Sequence, residues 1–276
     1  MEPIHWDIDP EIIKLFGVFP IRYYGLFFVS GLLIGYQTLK RLYITEKIPT
    51  QNLEELTTYI FIGTFVGARL GHCLFYDFSY FSQHPLEIFL PFKIVNGNWH
   101  FTGFTGLASH GGAIGILISI MIFASRTRTP FLWIMDKVSI VIPIGCAFIR
   151  FGNFMNSEIY GKPTQANYGV VFMRDDLIPR HPTQLYEAFS FLVVFAILWY
   201  LNKRKIAASA HGVLFGIFLL LMFSARFIIE FFKENQVAFE DHMTLNMGQV
   251  LSIPFILIGI LLIIFSKKLL INITKN

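Results

Sequence analysis

The chain has 276 residues, of which 54% are hydrophobic and only 14% charged, against about 25% charged in ordinary soluble domains. With 31 phenylalanines and a mean hydropathy of +0.58, it carries more apolar surface than a soluble fold of this length can bury. The net charge of +4 is not read as a nucleic-acid signal, because membrane proteins gather Lys and Arg on their cytoplasmic side for topological reasons. The two cysteines, Cys73 and Cys146, lie in apolar stretches and exclude a disulfide scaffold or a CxxC metal site.

The N-terminus, beginning Met1-Glu-Pro-Ile-His-Trp-Asp7, lacks the basic stretch of a cleaved signal peptide, so the first apolar segment is expected to remain. Seven spans are predicted in chain order: Tyr23–Leu39, Thr57–Tyr76, Gly106–Ala124, Phe131–Phe148, Leu185–Leu201, Gly212–Phe232 and Met247–Phe265. Each approaches the ~20 residues a helix needs to cross the hydrocarbon layer. Backbone groups in lipid must be satisfied within the segment, and no period-2 alternation marks a membrane barrel. The expected fold is therefore all-α: a polytopic membrane protein of about seven transmembrane helices, forming one integral membrane domain over residues 1–276.

Basic residues set an expected orientation. Lys40, Arg41 and Lys47, then Arg126 and Arg128, then Lys203, Arg204 and Lys205, and finally Lys267, Lys268 and Lys275 share one side if the count is seven. Glu2, Asp7, Asp9, Glu11, Glu240 and Asp241 fall on the other. The positive-inside rule then puts the N-terminus outside and the C-terminus in the cytoplasm. Two outside links are long, Asp77 to Thr105 and Asn153 to Gln184. The second is polar and is expected to form an external loop or head region over 153–184.

Charges at membrane depth are costly and mark functional candidates. Arg69 and His72 lie in the second span, Asp136 and Lys137 early in the fourth, and Arg226 and Glu230 in the sixth. Arg69 suits either a carboxylate or a lipid phosphate. Asp136 and Lys137 suit structural roles near the cytoplasmic end. Arg226 and Glu230 are four apart and would share a helix face, either as a self-contained ion pair or with Glu230 orienting Arg226 toward an anion. His110 stands in Ser109-His-Gly-Gly112, where small residues favour helix packing and the imidazole could take a proton from a thiol or hydroxyl.

The most informative segment is Ile149-Arg-Phe-Gly-Asn-Phe-Met-Asn-Ser-Glu-Ile-Tyr-Gly161. A uniformly apolar stretch gives way to Arg150, Asn153, Asn156 and Glu158, the first three at spacings that share a helix face. A guanidinium fork with amide donors suits a phosphate; polar capping of a helix end is the plainer reading.

This segment resembles the signature of the prolipoprotein diacylglyceryl transferases, with Arg150, Gly152, Asn153, Phe154, Asn156, Glu158 and Gly161 in register. Further family-like pieces follow the expected order: Tyr23-Tyr-Gly25, Gly67-Ala-Arg-Leu-Gly71, Ser109-His-Gly-Gly112, Arg180-His-Pro-Thr-Gln-Leu-Tyr-Glu187, Arg226 to Phe232, and Met247-Gly-Gln249. Ile149 departs from the family's usual Gly. The resemblance implies seven membrane helices in the bacterial cytoplasmic (inner) membrane. It also implies transfer of a diacylglyceryl group from phosphatidylglycerol to the lipobox cysteine of a preprolipoprotein signal peptide, with a thioether as product and glycerol phosphate leaving.

On that reading His110, Arg150 and Arg226 are the expected catalytic residues, His110 as base and the arginines at the phosphate. Tyr24, Arg69, Asn153, Asn156, Glu158, Gly161 and Glu230 are the expected substrate-binding residues, with Asn153 adding an amide donor. His181 fixes a loop or joins the chemistry. No metal, nucleotide or other cofactor is expected, because the phospholipid carries its own leaving group. The expected partners are phosphatidylglycerol, the signal peptide and membrane lipids, with no nucleic acid. The competing readings are a transporter or channel for a small anion, and a lipid-modifying transferase with another acceptor.

Overall fold

A computed structural model of the chain describes residues 3–16, 19–95, 98–101, 106–205, 210–234, 240 and 243–273. Glu2, Thr105, Asp241 and Lys275 of the expected topology lie outside these residues. The chain divides into two compact units, Met1–Leu42 together with Met135–Asn276, and Tyr43–Ile134.

Among the described residues, seven long helices lie near the expected spans: α1 (Tyr23–Thr45), α2 (Thr50–Phe75), α5 (Ser109–Thr127), α6 (Phe131–Met155), α7 (Thr183–Lys203), α8 (Val213–Ile229) and α9 (Met247–Ile273). The short helices α3 (Phe78–Phe81) and α4 (Leu86–Phe89) lie between α2 and α5. Six of the long helices are apolar and long enough to cross a membrane; α1, which carries Tyr36, Gln37, Lys40 and Arg41, falls outside that set. Large side chains such as Phe61, Ile118, Phe189, Val193, Leu257 and Leu261 are exposed along α2, α5, α7 and α9. Exposed apolar residues in such continuous bands need a lipid solvent.

Small β elements accompany the helices. In the first unit β1 (Ile4–Trp6) runs parallel to β6 (Val170–Phe172), which pairs antiparallel with β7 (Pro179–Arg180). A hairpin of β2 (Glu11–Leu15) and β3 (Phe19–Arg22) leads directly into α1. In the second unit β4 (Phe92–Val95) and β5 (Asn98–Phe101) form another hairpin. The link from Asn153 to Gln184 is thus structured. Phe154, Val170 and Phe172 make a small core with Trp6, Tyr160 and Leu185. Arg180 closes it, pairing with Asp176 at 2.6 Å and with Glu234, its guanidinium 4.8 Å from the Tyr160 ring. The Arg180 hydrogen bonds hold the Asp176 carboxyl below the usual carboxylate range.

Glycine sets the closest helix approach of the second unit. A Cβ on Gly71 of α2 would fall 2.7 Å from Gly111 Cα of α5. Small-residue packing therefore accounts for the glycine beside His110.

Asp136 has a structural role in the first unit. Its carboxylate accepts the backbone N–H groups of Gly212 (2.6 Å) and Phe215 (2.8 Å), orphan donors at the start of α8. Its neighbour Lys137 donates to Asn202 at 3.1 Å. Asp136→Ala should cost about 2–4 kcal/mol, because two N–H groups lose a charged acceptor. The check is a melting temperature in detergent: Asp136→Ala should melt several degrees below wild type, and an unchanged value would contradict the capping role.

Candidate functional site

The end of α6 presents the signature side chains. The last turn satisfies its own carbonyls: Asn156, Ser157 and Glu158 donate backbone N–H groups to Gly152, Phe154 and Asn153. Ser157 and Ile159 then adopt left-handed φ angles of 56° and 60°, a conformation that costs a non-glycine residue about 1–3 kcal/mol. The start of α7 holds this turn in place. Gln184, fully buried, donates to Glu158 O at 2.8 Å, and Thr183 donates to Ile159 O at 3.2 Å. Gly152 admits α1, since a Cβ there would lie 2.8 Å from the Tyr24 ring.

A polar chain runs through this junction. Arg150 Nη1 donates to Asn153 Oδ1 (3.1 Å), and Asn153 Nδ2 donates to Glu158 Oε1 (2.7 Å). Asn156 also donates to Glu158, at 3.3 Å. On its other side Arg150 Nε pairs with Glu187 Oε2 at 2.6 Å. Glu187 Oε1 accepts from Lys233 Nζ at 2.8 Å, and Lys233 lies 3.4 Å from Glu230 Oε2. Glu187 and Lys233 are 0% and 4% exposed, so both charges depend on these partners.

Beside this chain lies a cavity of about 350 Å³ with Arg150, Glu187 and Arg226 on its wall among Cys146, Ile149 and Phe191. The Nε of Arg226 is buried without a hydrogen-bond partner among the described residues. Two guanidinium groups against one carboxylate leave a cationic recess with apolar walls. Such a recess fits an anionic head group on a hydrophobic body. A second cavity, of about 500 Å³, lies at the start of α7, lined by Tyr168, His181, Pro182, Tyr186, Ile229 and Phe232. His181 Nδ1 is 3.1 Å from the Tyr186 hydroxyl, and burial pushes its imidazole below the ordinary value.

The sequence matches the family model for prolipoprotein diacylglyceryl transferase over residues 10–265. The chain belongs to the prolipoprotein diacylglyceryl transferase family. It is similar to the phosphatidylglycerol–prolipoprotein diacylglyceryl transferases of Tolumonas auensis (47% identical, covering 96% of this chain and 98% of the relative) and Bacteroides fragilis (45%, covering 96% of each). The corresponding transferase of Porphyromonas gingivalis is 43% identical over 96% of this chain and 95% of its own. Membership makes the chain a membrane-bound transferase of lipoprotein biosynthesis. It leaves the anion transporter without support.

In this transferase the predicted residues fall into groups. Arg150, Asn153, Asn156 and Glu158 come together in one hydrogen-bonded chain, and Arg226 joins Arg150 at the cavity. Asn153 links Arg150 to Glu158, accepting from the first and donating to the second. Glu230 does not pair with Arg226. Glu230 still donates its backbone N–H to Arg226 O, so the helical spacing is kept; its carboxylate instead faces Lys233, 3.4 Å from Nζ. Gly161 is buried and packed, its N–H bonded to His181 O at 2.8 Å, and a Cβ there would meet Thr183 Cγ2 at 2.7 Å. Its observed contacts are thus structural.

Arg69 and His110 belong to the second unit. Arg69 donates to the carbonyls of Ile88 (3.0 Å), Glu87 (2.5 Å) and Gly106 (3.4 Å), fastening the link between α2 and α5. These bonds give Arg69 a loop-fastening role. His110 is exposed in the first turn of α5. Glu187 and Lys233 were not among the expected site residues. Glu187 is an acid in an otherwise apolar span, the criterion that singled out Arg226; Lys233 lies just beyond a predicted helix end and carries no comparable signal.

Proposed function

We propose that the transferase moves the diacylglyceryl group of phosphatidylglycerol to the lipobox cysteine thiol of a preprolipoprotein, with the phosphate held at the recess of Arg150 and Arg226. The observation that carries this is the pair of guanidinium groups on one lipid-compatible cavity, Arg226 having a buried N–H without an acceptor. The substrate thiol loses its proton to a base, for which His110 is the candidate. The thiolate attacks the glyceryl carbon bonded to the phosphate oxygen. A C–S bond forms, the C–O bond breaks, and glycerol phosphate leaves with the electron pair. The arginines stabilise the charge gathering on the departing phosphate. Tyr24, at the start of α1 against Gly152, borders the same end of α6, while Asn153, Asn156 and Glu158 hold Arg150 in place.

The chain sits in this reading as a multi-pass protein of the bacterial inner membrane. With α1 as a seventh crossing, the basic segments place the N-terminus outside and the C-terminus in the cytoplasm. The 153–184 region then forms the external head of a single integral membrane domain, on the face where an exported signal peptide arrives.

The test uses the purified full-length protein in mixed micelles with phosphatidylglycerol and a lipobox peptide. Expected are a thioether-lipidated peptide and one glycerol phosphate per modified peptide. Folded protein that forms neither would overturn the proposal; lipidation of a different acceptor would redirect it to another lipid-modifying transferase. In the same assay His110→Ala should lower turnover by about 10²–10⁴ and recover part of it on addition of imidazole. Unchanged turnover would remove His110 from the mechanism.

A further inference from the structure

We propose that Lys233 is a positioning residue that keeps Arg150 available to the phosphate by occupying one oxygen of Glu187. The inference rests on the reading of Arg150 as a phosphate ligand. Glu187 has two oxygens and is shared between two cations: Oε2 lies 2.6 Å from Arg150 Nε, and Oε1 accepts from Lys233 Nζ at 2.8 Å. Arg150 meets Asn153 through Nη1, which leaves Nη2 without a partner among the described residues. A carboxylate facing a guanidinium alone takes it bidentately, two oxygens against two N–H groups. Such a pairing at Arg150 would consume the N–H groups an incoming phosphate requires. Lys233 prevents it by holding Oε1 away.

The aim of Lys233 is fixed by its backbone. Its strand-like bridge to Gly161, the bond from Lys162 N–H to Phe232 O (2.8 Å) and that from Lys233 N–H to Glu230 O (3.2 Å) pin the segment after α8 to the turn after α6. The side chain is 4% exposed, so solvent cannot take its place at Glu187. Glu230 provides a second acid at 3.4 Å that keeps the ammonium in place. Its carboxylate occupies the space where a Cβ on Gly248 would stand.

The experiment compares Michaelis constants for phosphatidylglycerol in detergent-purified, folded variants. Lys233→Met should raise KM about ten-fold while kcat changes less, since Glu187 is released to close on Arg150. Lys233→Arg should stay within about two-fold of wild type. The double variant Glu187→Gln with Lys233→Met should bring KM back toward wild type, because a neutral amide no longer clamps the guanidinium, while kcat falls as Arg150 loses its Nε anchor. A purely structural lysine predicts loss of melting temperature with KM unchanged in the folded fraction. That result, or a double variant whose KM is no lower than that of Lys233→Met, overturns the proposal. If Lys233→Met does not fold, Lys233→Gln supplies the test: an elevated KM is expected, and a wild-type KM overturns the proposal. Full activity in Arg150→Ala would instead overturn the phosphate-site reading itself, separately from any result at Lys233.

Discussion

Arg150→Lys should lower turnover by roughly 10²–10³ with the fold retained, the loss typical when one charge-stabilising donor is removed from a transition state. The substitution keeps the positive charge, so the effect isolates geometry. Arg150 uses Nε for Glu187 and Nη1 for Asn153, and presents the remaining edge of a planar fork to the cavity. Lysine offers one ammonium on a flexible stem. Placed against Glu187 it would satisfy the buried acid and leave nothing for the phosphate; placed in the cavity it would abandon Glu187. Turnover of phosphatidylglycerol with the lipobox peptide, at saturating levels of both, gives the measurement. Lysine supporting more than about a third of wild-type turnover would mean that charge alone suffices there, against the fork geometry argued here.

The reach of the sequence follows from what each signal encodes. Hydropathy and length report on solvent, so the seven long helices stand near their predicted places, with their ends extended where apolar runs pass into polar turns. The polar interruption after α6 was legible for the same reason, since Arg150, Asn153 and Asn156 break an apolar run at helical spacing. What residue type and spacing do not encode is the partner. Arg69 is of a type that suits an anion, yet it donates to backbone carbonyls of a loop 18 to 37 positions away. Glu230 and Arg226 have the spacing of an ion pair and keep helical register, but the Glu230 carboxylate faces Lys233 instead. Lys233 acquires meaning only through Glu187, 46 positions earlier, which no local pattern links to it.

Arg226→Met should have effects of opposite sign on stability and activity. The Nε–H of Arg226 is buried without an acceptor, and Glu230, the acid four residues on, is engaged by Lys233 instead. An unsatisfied buried donor costs about 1–3 kcal/mol, which methionine of similar length removes. The delipidated variant should therefore melt about 2–6 °C above wild type at the usual conversion for a chain of this size. Turnover should fall by about 10² or more if the guanidinium holds the phosphate as proposed. Phosphatidylglycerol supplies the discriminating readout. Binding to the native state alone raises melting temperature by mass action, so the lipid should stabilise wild type more than the variant. The residue would be structural if Arg226→Met melted below wild type and gained the same lipid stabilisation. Raised stability with lost turnover and lost lipid response would mark it as a cation kept unpaired for its substrate, a strain that the fold carries until the phosphate arrives.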